Sequence, residues 1–244
     1  MLPRVVAYAS IVAVIGCGQR EAQHPLPHLE RFGVIGQAGL PVLHQDDGQW
    51  TMATKDYANT RFSSLSQINT KNVGALQVAW TFSTGILKGH EGAPIVVNNT
   101  MYVVSPFPNH VFALDLTRPA GGAAGPVKWS YKPAVISSAK GVACCDLVNR
   151  GAVYADGKII FNTLDNQTIA LDANTGAEVW KRTVGDFNQG ESMTMAPLVV
   201  KDKVLIGNAG GEFGVRGWLQ ALDVRTGRPV WKAFATGPDT DVRI

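Results

Sequence analysis

The chain has 244 residues, of which 45% are hydrophobic and 17% charged, with 26 glycines, 13 prolines and a formal net charge of +3. This balance excludes wholesale disorder and permits one large domain or two small ones. The charge is small and the Lys and Arg residues are scattered, which excludes a nucleic-acid-binding surface.

Arg4 precedes an apolar run, residues 5–15, which ends at Gly16-Cys17. One basic residue, a short apolar stretch and a small residue form the pattern of a secretory signal. The run is too short to span a bilayer. Val14-Ile15-Gly16-Cys17 also matches a bacterial lipobox, in which Cys17 would be lipidated. A plain cleaved signal and a lipid-anchored mature terminus stand side by side, and both place residues after 17 outside the cytoplasm. Residues 18–45 have neither helical nor strand periodicity and read as a linker. His24 and His28 are four apart, but Pro25 and Pro27 break the helix that a metal site there would need.

From residue 46 onward the chain repeats. Trp80, Trp129, Trp180 and Trp231 are separated by 49, 51 and 51 residues. Ala170-Leu171-Asp172 and Ala221-Leu222-Asp223 both lead through Thr-Gly to Trp180 and Trp231. Ala113-Leu114-Asp115 opens a third copy, stretched by a Gly-rich insertion at 121–125 before Trp129. A period near 50 signals a propeller or solenoid. Short β-forming runs are predicted at 93–97, 100–104, 111–114, 158–162 and 203–206. Turn signals separate them at Asn98-Asn99, Asp156-Gly157, Thr175-Gly176 and Thr226-Gly227. Four strands in each unit make a blade. In the D-x-x-T-G turn the Asp bonds its own backbone, Gly supplies a positive φ, and the following Trp is expected to dock between blades. A short helix capped by Asn69 is predicted over 72–76. The sequence holds three full units and pieces of a fourth, without a recognisable closing strand. It reads as truncated after about four blades.

Cys144 and Cys145 are adjacent. Neighbouring Cα atoms lie about 3.8 Å apart, whereas disulfides span roughly 4.4–6.8 Å. A bond between them would close a strained ring of the kind held at functional sites. A reduced buried pair is the alternative. Residues 207–217 are Gly-rich, but a predicted strand follows them instead of a helix, which excludes a dinucleotide or P-loop fingerprint.

The segment Val142-Ala-Cys-Cys-Asp-Leu-Val-Asn-Arg-Gly151 resembles the vicinal-disulfide segment of the pyrroloquinoline-quinone (PQQ)-dependent methanol and ethanol dehydrogenases. Asp56-Tyr-Ala-Asn-Thr-Arg61 resembles that family's opening strand. Gly89-His-Glu-Gly-Ala-Pro94, Thr194-Met-Ala-Pro197 and Gly210-Gly-Glu-Phe-Gly-Val-Arg-Gly217 resemble its cofactor loops. The likeness runs from about Trp50 to the end. It implies an all-β fold, part of an eight-bladed propeller with Trp-docked blades.

The resemblance also implies roles. A Cys144–Cys145 disulfide would stack on the quinone. Glu91, Arg150 and Thr194 would make polar contacts to it, and Gly210 and Gly211 would bring backbone N–H groups near. Ala209 stands where the family often has a Ser hydroxyl. Glu212 would ligate Ca²⁺ or a lanthanide. The implied reaction is oxidation of a primary alcohol, with electrons passing to a periplasmic cytochrome c. The catalytic Asp, further metal ligands and a stacking Trp would fall after Ile244, so the 244-residue chain alone is expected to be inactive. A non-catalytic exported lipoprotein, using the same repeats as a scaffold in outer-membrane assembly, is the alternative. It predicts neither the adjacent cysteines nor the Gly-Gly-Glu loop.

Overall fold

Among the described residues, three four-stranded antiparallel sheets follow one another in sequence, each a meander. The computed structural model describes residues 48–237 apart from 88, 118–126 and 145. The signal and linker segments, the Gly-rich insertion and Cys145 therefore lie outside the described residues.

Blade 1 contains β1 (Ile95–Val97), β2 (Thr100–Val104), β3 (Val111–Asp115) and β4 (Val127–Tyr131). Blade 2 contains β5 (Ala152–Ala155), β6 (Lys158–Asn162), β7 (Gln167–Asp172) and β8 (Glu178–Thr183). Blade 3 contains β9 (Leu198–Val200), β10 (Lys203–Gly207), β11 (Trp218–Asp223) and β12 (Pro229–Phe234). The first strands pack side by side, β1 with β5 and β5 with β9. The predicted run at 93–97 begins as a strand only at Ile95, because Pro94 has no N–H to give a ladder. Each blade shifts register once, inside its Ala-Leu-Asp triplet, at Ala113/Leu114, Ala170/Leu171 and Ala221/Leu222. The same three residues thus place the same bulge in every blade.

Side-chain alternation along β6 decides how the blades stack. Ile159 and Phe161 point towards blade 1, where they join Ile95, Tyr102, Val104 and Val111. Ile160 points the other way and packs with Val199, Val204 and Ile206 of blade 3. β6 and β7 are buried on both faces, which is why both read as nearly continuous apolar runs. Each fully buried Ile, Leu or Phe contributes about 1.5–3 kcal/mol. In the fourth strands only Trp180 is buried.

Trp129 and Trp180 dock as expected from the repeat. The Trp129 indole N–H donates to Ala173 O of blade 2 at 3.0 Å, and that of Trp180 to Val224 O of blade 3 at 3.1 Å. Each ring lies on the turn glycine of the next blade. A Cβ on Gly176 would sit 2.6 Å from the Trp129 ring, and one on Gly227 would sit 2.5 Å from that of Trp180. Both glycines also have positive φ, 72° and 67°. Asp172 shapes its turn by accepting from Asn174 N, Thr175 N and Thr175 Oγ1, and Asp223 repeats the set with Arg225 and Thr226.

Two local expectations change. Residues 56–61 are a turn rather than an opening strand: Asp56 folds over Thr60, accepting from its N–H and its hydroxyl, while Asn59 and Arg61 take positive φ. The helix expected at 72–76 is a single 3₁₀ turn, Val73–Ala75, with no buried residue to extend it. Asn69 does not cap it by side chain, since its Oδ1 accepts from Lys71 N instead. Among the described residues no helix is long and apolar enough to cross a membrane.

Candidate functional site

The meander sends two kinds of loop to one end of the blades. These are the segments leading into each first strand, and the links between second and third strands. The Trp-receiving turns lie at the other end. Glu91, Arg150 and Thr194 all occupy segments that lead into first strands, one in each successive blade, and the structure brings them together. The Arg150 guanidinium lies 3.2 Å from the Glu91 carboxylate through Nη2 and donates from Nη1 to Thr194 Oγ1 at 2.7 Å. Arg150 does not pair with Asp146, whose carboxylate accepts from Leu147 N.

The backbone beneath Arg150 is held on both sides. Its N–H donates to Thr194 O at 3.0 Å and its carbonyl accepts from Ala93 N at 3.3 Å. Gly151 must be glycine here: φ is +116° and a Cβ would stand 2.8 Å from Ala93 O. Asn149, fully buried, accepts from Gly151 N and donates to Asn162 O at 2.8 Å. Asn162 in turn donates from Nδ2 to Met195 O at 3.1 Å, and its Oδ1 accepts from Thr168 Oγ1 at 2.9 Å.

The charged tips, by contrast, are about half exposed: 53% of the Arg150 side chain and 54% of the Glu91 side chain. An ion pair so open to water is worth no more than about 1 kcal/mol, so stability does not account for it. A guanidinium carries five donors in a planar fork, more than these two contacts use.

The Gly-rich loop joins the same end through Ala209, whose N–H and carbonyl both pair with Ser192, two residues before Thr194. Gly210 has φ +122°, and a Cβ there would lie 2.3 Å from Gly190 O, so the two backbones come this close only because residue 210 is glycine. Gly211–Phe213 forms a 3₁₀ turn that leaves Glu212 exposed. Glu191 braces this arrangement. Its Oε1 accepts from Trp218 Nε1 at 2.7 Å and Asn208 Nδ2 at 3.2 Å, and its Oε2 accepts from Asp186 N at 2.5 Å.

Cys144 follows the 3₁₀ segment Ser137–Val142 in the loop that leads to Arg150. Position 145 is outside the described residues. Among the described residues no three His, Cys, Asp or Glu side chains cluster as a metal site.

Sequence reasoning did not single out Asn149, Asn162 or Glu191. Asn149 lies inside the quoted cysteine motif, directly before Arg150, and that adjacency was the one available signal. The others act through bonds to residues distant in sequence.

Trp-docked blades with a polar cluster drawn from three blades at the loop end define the class: a propeller assembled from repeats. The family model for the glucose/ethanol/alcohol dehydrogenase β-propeller domain (PQQ) matches residues 50–243, and the chain belongs to that family. It is 56% identical over 223 residues to a lanthanide-dependent methanol dehydrogenase of Methylacidiphilum fumariolicum (strain SolV), covering 88% of this chain and 36% of the relative. It is 51% identical over 211 residues to methanol dehydrogenase (cytochrome c) subunit 1 of Methylobacterium organophilum, covering 84% and 33%. Among solved structures, a europium-containing methanol dehydrogenase superposes with a TM-score of 0.76 at 60% identity, over 79% of this chain and 33% of that one. The chain thus spans about a third of the length of these relatives.

Proposed function

We propose that this chain supplies part of the PQQ site of a periplasmic dehydrogenase that oxidises a primary alcohol of the methanol type and passes electrons to a cytochrome c. The observation that carries this reading is the Arg150 fork, held by Glu91 and Thr194 yet open to solvent. The donor set fits the cofactor's chemistry, because carboxylates and an ortho-quinone offer paired acceptors that match parallel guanidinium donors. The names of the relatives support the substrate, the acceptor and the metal.

When bound, the quinone would supply the two-electron oxidant for the alcohol. The chain's own residues bind and orient it. Glu91 keeps the guanidinium aimed outward. Thr194 Oγ1 accepts from Arg150, which leaves its own proton to donate to a ligand oxygen. Ala209 offers a methyl group, and Gly210 and Gly211 let backbone come close. Glu212 is proposed as one carboxylate ligand of Ca²⁺ or a lanthanide, both of which favour oxygen donors. The described residues do not complete a metal site, and no step is routed through the ion. A Cys144–Cys145 disulfide stacked on the quinone belongs to the same proposal, supported by the adjacency of the two cysteines in the loop that leads to Arg150. The signal-like residues 1–17 support a location outside the cytoplasm.

Titration of the whole apo-protein with PQQ, followed by tryptophan fluorescence, tests the reading. Arg150→Ala is expected to weaken binding about 10–100-fold, the size of one or two charged hydrogen bonds. Its unfolding midpoint should hardly move, since the side chain is half exposed. Unchanged PQQ affinity would refute the assignment.

A further inference from the structure

We infer that Asn162 is a positioning residue, which sets the separation of Arg150 and Thr194 from beneath and so tunes the two-point grip on the quinone. The inference rests on the PQQ reading above. Asn162 ends β6 of blade 2 and is fully buried. Its three bonds run in three directions. Thr168 Oγ1, directly across on β7, fixes the orientation of its amide by donating to Oδ1 at 2.9 Å. Its carbonyl receives Asn149 Nδ2 at 2.8 Å, which anchors the residue before Arg150. Its Nδ2 crosses to the blade 3 side and holds Met195 O at 3.1 Å, the carbonyl next to Thr194.

One residue therefore ties both loops to a single point of the rigid inner sheet, the Arg150 loop through its backbone carbonyl and the Thr194 loop through its side chain. Neighbouring buried residues of β6, Ile159, Ile160 and Phe161, are apolar and pack between blades. An apolar residue of similar size would fill position 162 but would leave Met195 O and the Thr168 hydroxyl without these partners, and an unmade buried bond costs more than a made one contributes. The polar side chain is thus accounted for by the Thr194 loop it holds. Arg150 and Thr194 touch the ligand in this scheme, whereas Asn162 acts only through the position of the Thr194 loop.

A double-mutant cycle tests this in the whole protein, with PQQ itself as the titrant and fluorescence quenching as the readout. Asn162→Ala should lower PQQ affinity about tenfold. In a Thr194→Ala background the same change should lower it less than about twofold, because the hydroxyl whose place it sets is already gone. Thr168→Val, which frees the amide and creates little cavity, should show the same pattern with about a threefold loss, and it serves if Asn162→Ala does not fold. Equal losses in both backgrounds, or no loss with residue 194 intact, would overturn the positioning role and leave PQQ binding standing. If Thr194→Ala alone does not weaken PQQ, the binding assignment fails first and the inference fails with it.

Discussion

The two ends of the blades follow opposite rules. At the Trp-receiving end, Trp129 on Gly176 and Trp180 on Gly227 are copies of one contact, with the same indole donor bond and the same Asp-Thr turn. At the other end, equivalent positions differ. Four residues before each first strand stand Glu91, Val148 and Thr194; two residues before stand Ala93, Arg150 and Ala196. Sameness at one end gives every blade the same way of stacking. Difference at the other brings three distinct side chains together. The repeats build, and the copies diverge where the proposed chemistry lies.

This contrast can be broken by substitution. The largest effect should come from Trp180→Ala, which removes a large, 6% exposed ring at a blade interface and should cost about 3–5 kcal/mol in denaturant unfolding. If repeated contacts only stack blades, the PQQ affinity of the fraction that remains folded should be unchanged, and a large loss of affinity would erase the division between the ends. Gly227→Ala should cost less, about 1–3 kcal/mol, by forcing a Cβ into the Trp180 ring at a positive φ. Gly176→Ala should match it because the contact is the same. Unequal costs would mean the two copies are not equivalent.

The smallest effect is in acid. The bonds that Asp172 receives from the Thr175 N–H and hydroxyl, and that Asp223 receives from the Thr226 hydroxyl and N–H, lower both carboxyls below their ordinary value of 3.8. A lowered folded-state value means that the unfolded chain takes up protons first as pH falls. The contribution of these turns is therefore complete above that value and is lost as pH drops through the lower folded-state values. Asp172→Asn and Asp223→Asn should each flatten this part of a stability profile slightly, and both by the same amount.

Legibility in the sequence divides along the same line. The Trp spacing, the Ala-Leu-Asp triplets and the hairpin dipeptides predicted blades because each is a local pattern that recurs. Asp156 and Gly157 do take positive φ, as do Asn98 and Asn99. Residues 56–61 defeated a strand reading because a side-chain bond from Asp56 to Thr60 closes them into a turn. The expected helix shrank because Val73 and Leu76 find no surface to cover and remain exposed. Glu91, Arg150 and Thr194 were individually visible through resemblance to the dehydrogenase loops. Their mutual contact was not, since it spans more than 40 residues in each direction and depends on how blades abut. Asn162 and Glu191 left still less trace, because a side chain that bonds a remote carbonyl or indole needs no motif around it.

One consequence follows from blade 2 being apolar on both faces. Such a sheet has no exterior of its own: cut away from its neighbours, it would turn two oily sides to water at once. Its boundaries are therefore fastenings and not seams, and the three sheets should melt together. Because Glu91, Arg150 and Thr194 stand before the first strands of three consecutive sheets, the grip proposed for the ligand shares that fate. A loosened grip at one end would report parted sheets throughout, which makes the ligand a gauge of cohesion in the wall that holds it.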